Sequence, residues 1–85
     1  MRFSVVVDVN LRSGIADPEG ATIERALPAL GFVGVTNVRA GKSFYLDVEA
    51  PNEMAAVDKA QALAERLLSN PVIEDARVRV VTGAS

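Results

Sequence analysis

Apolar and polar residues alternate from Arg2 to Leu11. Phe3, Val5, Val7, Val9 and Leu11 fall on one side of an extended chain, and Ser4, Asp8 and Asn10 on the other, with Val6 among them. A period of two predicts a half-buried β-strand. After a polar turn at Arg12-Ser13-Gly14 the period changes at Asp17-Pro18-Glu19. Asp17 can accept backbone N–H bonds as an N-cap, Pro18 at the first helical position gives up only a donor that would be unpaired, and Glu19 sits at the positive end of the dipole. Ile15 is placed to close over that first turn. Ile23, Ala26, Leu27 and Leu30 follow at helical spacing, and Gly31 can supply a left-handed stop, so a helix is predicted over about 18–30. Pro28 removes the bond to the Glu24 carbonyl and predicts a kink or an early end.

Phe32 to Asn37 reads as a connection, after which the even positions Val38, Ala40, Phe44, Leu46 and Val48 are apolar. Opposed residues in a hairpin share a face, so a loop of Gly41, Lys42 and Ser43, opposing Ala40 to Phe44 and Val38 to Leu46, preserves the pattern. Arg39, Tyr45, Asp47 and Glu49 then share the other face. Asn52 can cap a second helix opening at Glu53, with Ala56, Ala60, Leu63 and Leu67 on one stripe flanked by Val57, Ala64 and Leu68. It must end near Ser69-Asn70, because the residue before Pro71 is pushed out of helical geometry. A last strand is expected from about Glu74 to Thr82, with Ala76, Val78 and Val80 inward, Arg77 and Arg79 outward, and residues 83–85 frayed.

The order strand, helix, strand, strand, helix, strand predicts an α+β, ferredoxin-like βαββαβ fold. Both helices would lie on one face of a four-stranded antiparallel sheet, with the first and third strands central. The uncovered face would carry Ser4, Val6, Asp8, Asn10, Tyr45, Asp47, Arg77, Arg79 and Val81.

Composition narrows the function further. With 85 residues at 49% hydrophobic, one domain spanning 1–85 is expected, its core small enough to need a second copy or another protein. The net charge of −2, with basic residues scattered singly, gives no footprint for nucleic acid or an anionic membrane. No Cys and no His exclude disulfides, thiolate zinc sites and histidine acid–base chemistry. Neither a signal peptide nor a spanning helix is predicted, and a cytoplasmic location is the default.

The remaining constellations are thin. An acylphosphatase-like site needs a glycine cradle around an arginine at the first strand-to-helix turn. Arg12-Ser13-Gly14 offers one glycine and reads more simply as a turn with a solvated arginine. RNA recognition needs two or three aromatics on the sheet, and only Tyr45 faces that way. Asp8, Asp47 and Glu49 could approach one another, but acids without a pocket are usually a solvated or interface surface. Gly41-Lys42 lacks the spacing and following helix of a phosphate loop. By elimination the residues describe a small interaction module without catalysis.

Four stretches add a resemblance: Leu11 to Gly20; Ala26-Leu27 with Leu30 to Val35; Val38 to Lys42; and Leu67-Leu68-Ser69-Asn70-Pro71-Val72-Ile73-Glu74-Asp75. In this order and spacing the chain resembles the PurS family, the small subunit of phosphoribosylformylglycinamidine synthase. Pro28, and Ala76 where an aromatic often follows the Asp, depart from the pattern. The resemblance implies a non-catalytic subunit of a purine-biosynthetic ligase that uses glutamine and ATP. It would act as a homodimer or homotetramer bridging the synthetase subunit PurL and the glutaminase subunit PurQ to support ammonia transfer. No cofactor is expected in this chain, and ATP and Mg are expected in the synthetase. No residue is expected to be catalytic or to bind a cofactor or metal. Asp17, Pro18, Gly20, Gly41, Lys42, Asn70, Pro71, Val72 and Ile73 are the structural or partner-contact candidates, Val72 and Ile73 being expected to cap the helical layer in preference to docking a partner. The alternative is a small-metabolite-binding regulatory domain of ferredoxin-like fold.

Overall fold

The computed structural model describes residues 1–82; Gly83 to Ser85, where fraying is expected, lie outside the described residues. The elements are β1 (Arg2–Leu11), α1 (Pro18–Ala26), β2 (Gly41–Glu49), α2 (Glu53–Leu63) and β3 (Glu74–Thr82). A 3₁₀ turn at Pro28–Leu30 follows α1, and a wider π turn at Ala64–Leu68 follows α2. β1 lies between β2 and β3 and runs antiparallel to both.

Register follows from the alternation. Phe3, Val5 and Val7 stand opposite Val48, Leu46 and Phe44 of β2, while Val5, Val7 and Val9 stand opposite Val80, Val78 and Ala76 of β3. Against this layer α2 sets Ala56 and Ala60, and the π turn sets Ala64, all buried. Residues four apart share a helix face, and small side chains there let the helix approach the sheet closely. Full burial of each β1 valine stabilises by about 1.5–3 kcal/mol, which makes this layer the main source of stability.

The stripe predicted on α2 is displaced near its end. Leu67 is 75% exposed, whereas Leu68 packs on Val7, Val9 and Ala64. A π turn holds more residues per turn, and the Ser69 N–H donates to the carbonyl five residues back, Ala64, at 2.9 Å. The chain therefore rotates less between 64 and 68, which returns Leu68 to the alanine stripe and turns Leu67 out.

The four-stranded ferredoxin-like sheet is not formed: among the described residues there are three strands. The segment expected as the extra strand is held elsewhere. The Val38 N–H donates to Glu24 Oε1 at 2.9 Å and the Ala40 N–H to Asp17 Oδ2 at 2.7 Å. These alternate donors would have made a ladder. The expected loop is absent too, since Gly41, Lys42 and Ser43 pair with Asn10, Val9 and Asp8. β2 is consequently an edge strand where a central one was expected.

Nor do both helices cover one face. α2 packs on the sheet, but α1 contacts chiefly its own 3₁₀ extension. Pro28 acts as expected, α1 ending at Ala26 with the 3₁₀ turn beyond it and Gly31 closing that turn at φ 88°. Residues 12–40 thus form an arm on a body made of β1, β2, α2 and β3. The radius of gyration is 16.3 Å, against about 12 Å for a compact chain of this length.

Candidate functional site

Asp17 organises the base of the arm. Its Oδ1 accepts the Gly20 N–H at 2.9 Å, capping α1, and its Oδ2 accepts the Ala40 N–H at 2.7 Å, so one carboxylate ties the outgoing chain to the returning one. The side chain is 5% exposed, with the Arg39 Nε 3.8 Å away. The Gly20 amide first, then the Ala40 amide and the Arg39 charge, hold its pKa below the ordinary value against the opposing effect of burial. Arg39 also donates to the Ile15 and Arg12 carbonyls at 3.3–3.4 Å. Gly20 is buried, and a Cβ there would run into the Val38 carbonyl. Pro18 takes the first helical position as expected.

A second clamp holds the turn before β3. Arg12 donates from Nη2 and Nε to the Pro71 carbonyl at 2.7 and 3.1 Å, and its Nη1 lies 3.0 Å from Asp75 Oδ1. The Asn70 Oδ1 accepts the Val72 N–H at 3.1 Å, and Glu74 Oε1 accepts the Asn70 N–H at 2.7 Å. Inside this frame Val72 is 81% exposed and Ile73 is half-buried. The expectation that both cap the helical layer fails for Val72, which points into solvent.

The uncovered sheet face carries a polar lattice. Asp8 accepts from the Ser43 hydroxyl at 2.6 Å and from Arg79 Nε at 3.0 Å, and Asp47 accepts from the Ser4 hydroxyl at 2.8 Å. The Ser43 hydroxyl and then Arg79 hold the Asp8 pKa below its ordinary value. Asp8, Asp47 and Glu49 do not converge, because the two aspartates face different serines and Glu49 meets the N-terminal ammonium at 3.4 Å. Tyr45 projects from this face, 76% exposed.

Gly41 and Lys42 stand where the arm joins β2. A Cβ on Gly41 would meet the Asn10 side chain and lie 3.0 Å from the Val9 carbonyl. Lys42 Nζ sits 5.9 Å from the centre of the Phe44 ring. Lys42, Glu19 and Glu74 rim an open hollow of about 320 Å³ floored by Val9 and Leu11.

The structure therefore gathers Asp17, Pro18, Gly20, Gly41 and Lys42 at the arm base, and Asn70, Pro71, Val72 and Ile73 at the neighbouring turn that Arg12 ties to it. Sequence reasoning misses Glu24, Arg39 and Arg12 as fasteners, and from the sequence Arg12 reads only as a solvated turn residue. Their bonds span 14, 24 and 59 positions, and no local pattern announces them. Among the described residues no group of three His, Cys, Asp or Glu side chains could hold a metal. What the arrangement does chemically is present surfaces, some rigidly framed and others apolar and bare.

The profile of the PurS family, described as phosphoribosylformylglycinamidine (FGAM) synthase, matches residues 4–82. The phosphoribosylformylglycinamidine synthase subunit PurS of Thermotoga maritima is 43% identical over 77 residues, covering 91% of this chain and 94% of the relative. The crystal structure of the Thermotoga PurS subunit superposes with a TM-score of 0.88 at 41% identity, covering 95% of this chain and 93% of that one. A chain in the structure of PurLQS from the same organism reaches 0.87 at 41% identity, over 95% and 99%. PurS of Methanocaldococcus jannaschii, named as a subunit of formylglycinamide ribonucleotide amidotransferase in the purine biosynthetic pathway, reaches 0.83 at 33% identity, over 99% and 100%. A match over nearly the whole length, in sequence and in fold, leads to one conclusion: the chain belongs to the PurS family, subunits of phosphoribosylformylglycinamidine synthase.

Proposed function

We propose that this chain is the non-catalytic small subunit of glutamine-dependent phosphoribosylformylglycinamidine synthase. In this reading it works in the cytoplasm as a homodimer or homotetramer, bridging PurL and PurQ so that ammonia released from glutamine reaches the synthetase without escaping. ATP and Mg are handled by PurL. The observation that carries the reading is the likeness to the chain in Thermotoga PurLQS over almost its entire length. The residues agree with it. A chain without His or Cys has few means of activating a nucleophile, whereas one whose Ile23, Leu30, Phe32, Val33, Leu67 and Val72 are exposed has apolar surface to offer other proteins. Among the described residues no helix is long and apolar enough to cross a membrane. The regulatory-domain alternative is not favoured by the family match.

Reconstitution tests the reading. Omitting this chain from a mixture with PurL and PurQ is expected to abolish glutamine-dependent synthesis while sparing most ammonia-dependent synthesis. Equal loss of both would give the chain a part in substrate chemistry instead, and glutaminase or ATPase turnover by the purified chain would overturn the non-catalytic assignment.

A further inference from the structure

We infer that Arg12 is a positioning residue for the glutamine-dependent reaction: it fixes the bearing of the arm against the turn before β3, and so the relation between the two projecting parts of a bridging subunit. The inference rests on the subunit reading above and names a residue within it. Gly20 is the one residue of 12–40 that is buried as a whole, and its close neighbours, Asp17 and the Val38 carbonyl, belong to the arm itself. The hollow of about 320 Å³ lies between Pro18 and Glu19 of α1 and Val9 and Leu11 of β1, so the start of the helix stands off the sheet. Burial therefore does not seat the arm on the body. The Asp17 and Glu24 carboxylates close it on itself, because the amides they bind, Ala40 and Val38, lie within it.

Outside the strand pairing, each hydrogen bond or ion pair that joins residues 12–40 to the rest of the described chain starts from Arg12. Its N–H donates to the Ile73 carbonyl at 2.8 Å, Nη2 and Nε grip the Pro71 carbonyl, and Nη1 meets the Asp75 carboxylate at 3.0 Å. The backbone bond by itself is a pivot. The guanidinium, a rigid planar fork, holds Pro71 and Asp75 in different directions and stops rotation about that pivot. Arg39 carries the fixation to the returning chain by donating to the Arg12 and Ile15 carbonyls. The turn on the other side is braced by Asn70 and Glu74. The Arg12 side chain is 47% exposed and that of Asp75 66%, so the pair adds little to stability. What it supplies is direction. Direction matters to a bridge, because ammonia passing between two active sites is lost to water when their alignment slips, and a misplacement of about 1 Å far from the chemistry can cost about 10²-fold.

The chain has no cysteine, so spin labels placed through Val33→Cys and Val72→Cys, at residues 84% and 81% exposed, report the relation of arm and turn directly. In labelled chain diluted with unlabelled chain, pulsed electron paramagnetic resonance is expected to give a single narrow distance distribution. Arg12→Ala is expected to widen it about twofold or more, with Arg12→Lys between the two, since an ammonium keeps the ion pair but not the double grip on Pro71. The circular-dichroism melt is expected to stay in place, and Arg12→Lys carries the same test if the shorter side chain lowers it. With PurL and PurQ, and enough variant to saturate them, Arg12→Ala is expected to raise the glutamate released per amidine formed about twofold or more while sparing ammonia-dependent synthesis. Arg12→Lys is expected to recover part of that coupling. An unwidened distribution, a widened one without added loss of ammonia, or equal falls in glutamine- and ammonia-dependent synthesis would each overturn the inference. The distance measurement needs no partner, so its outcome is distinguishable from the result of omitting the whole chain, which tests the subunit reading.

Discussion

The body and the arm are made from much the same kinds of residue and differ in what those residues touch. In β1, Phe3, Val5, Val7 and Val9 are buried beneath α2 and the π turn that continues it, which present Ala56, Ala60 and Ala64 to them. In the arm, Ile23 and Leu30 of the expected helical stripe are 44% and 69% exposed, and Gly20 is the buried residue of α1. The body is held by apolar burial. The arm is held at its base by two carboxylates, Asp17 and Glu24, on the Ala40 and Val38 amides, and by one glycine that admits the returning backbone. An amphipathic pattern is thus a statement about unsatisfied surface, and within one chain the same pattern can be closed internally or left for another molecule.

The largest effect expected from that contrast lies in the phenylalanines. Phe3→Ala, in the body at 4% exposed, is expected to cost about 3–5 kcal/mol, enough to unfold a domain this small. Phe32→Ala, in the arm, is expected to change the stability of the monomer by no more than about 0.5 kcal/mol. Urea melts of the two variants measure this, and equal losses would dissolve the distinction between body and arm.

Gly20→Ala comes next. Its Cβ must push the Val38 carbonyl away, and the expected cost is about 1–3 kcal/mol, concentrated on the arm. Hydrogen exchange should show the Val38 and Ala40 amides losing protection while β1 keeps it. Uniform loss would mean that the arm and body unfold as one unit.

The carboxylates add a pH dependence of smaller size. Asp17 and Asp8 both have folded pKa values below the ordinary 3.8. Their contribution is therefore complete above the unfolded pKa and is lost as pH falls through the folded values. The melting temperature is expected to hold down to about pH 5 and to drop below about pH 4, and to drop less steeply in Asp17→Asn. An Asp17→Asn variant as acid-sensitive as wild type would remove Asp17 from the account. The smallest effect is expected from Val72→Ser, at most about 0.5 kcal/mol on the monomer. A larger fall in calorimetry would mean that this turn belongs to the core after all.

Much of the body, and the helix of the arm, was legible in the sequence. The bounds of β1 and β3, the caps at Asp17 and Asn52, the early end of α1 before Pro28 and the inward set on each strand all follow from period, cap and proline chemistry acting over a few residues. Of the candidate site, the Asp17-Pro18 start could be read, whereas the second oxygen of Asp17 and the close approach of the Val38 carbonyl to Gly20 could not. An N-cap is a local bond, whereas the reach from Asp17 to Ala40 depends on how the arm folds back.

The sequence by itself determined which residues would share a face, because periods of two and of 3.6 are properties of the backbone. It could not determine whether Val38–Ala40 would join the sheet, since an extended segment can donate its amides to a neighbouring strand or to side-chain carboxylates, and both choices have the same pattern. Tertiary structure decided that choice in favour of Asp17 and Glu24, and with it the number of strands, the bare edge of β2 and the separation of α1 from the sheet. It also decided that Leu68 would pack and Leu67 would not, because one π turn near the end of α2 changes the rotation of every residue after it.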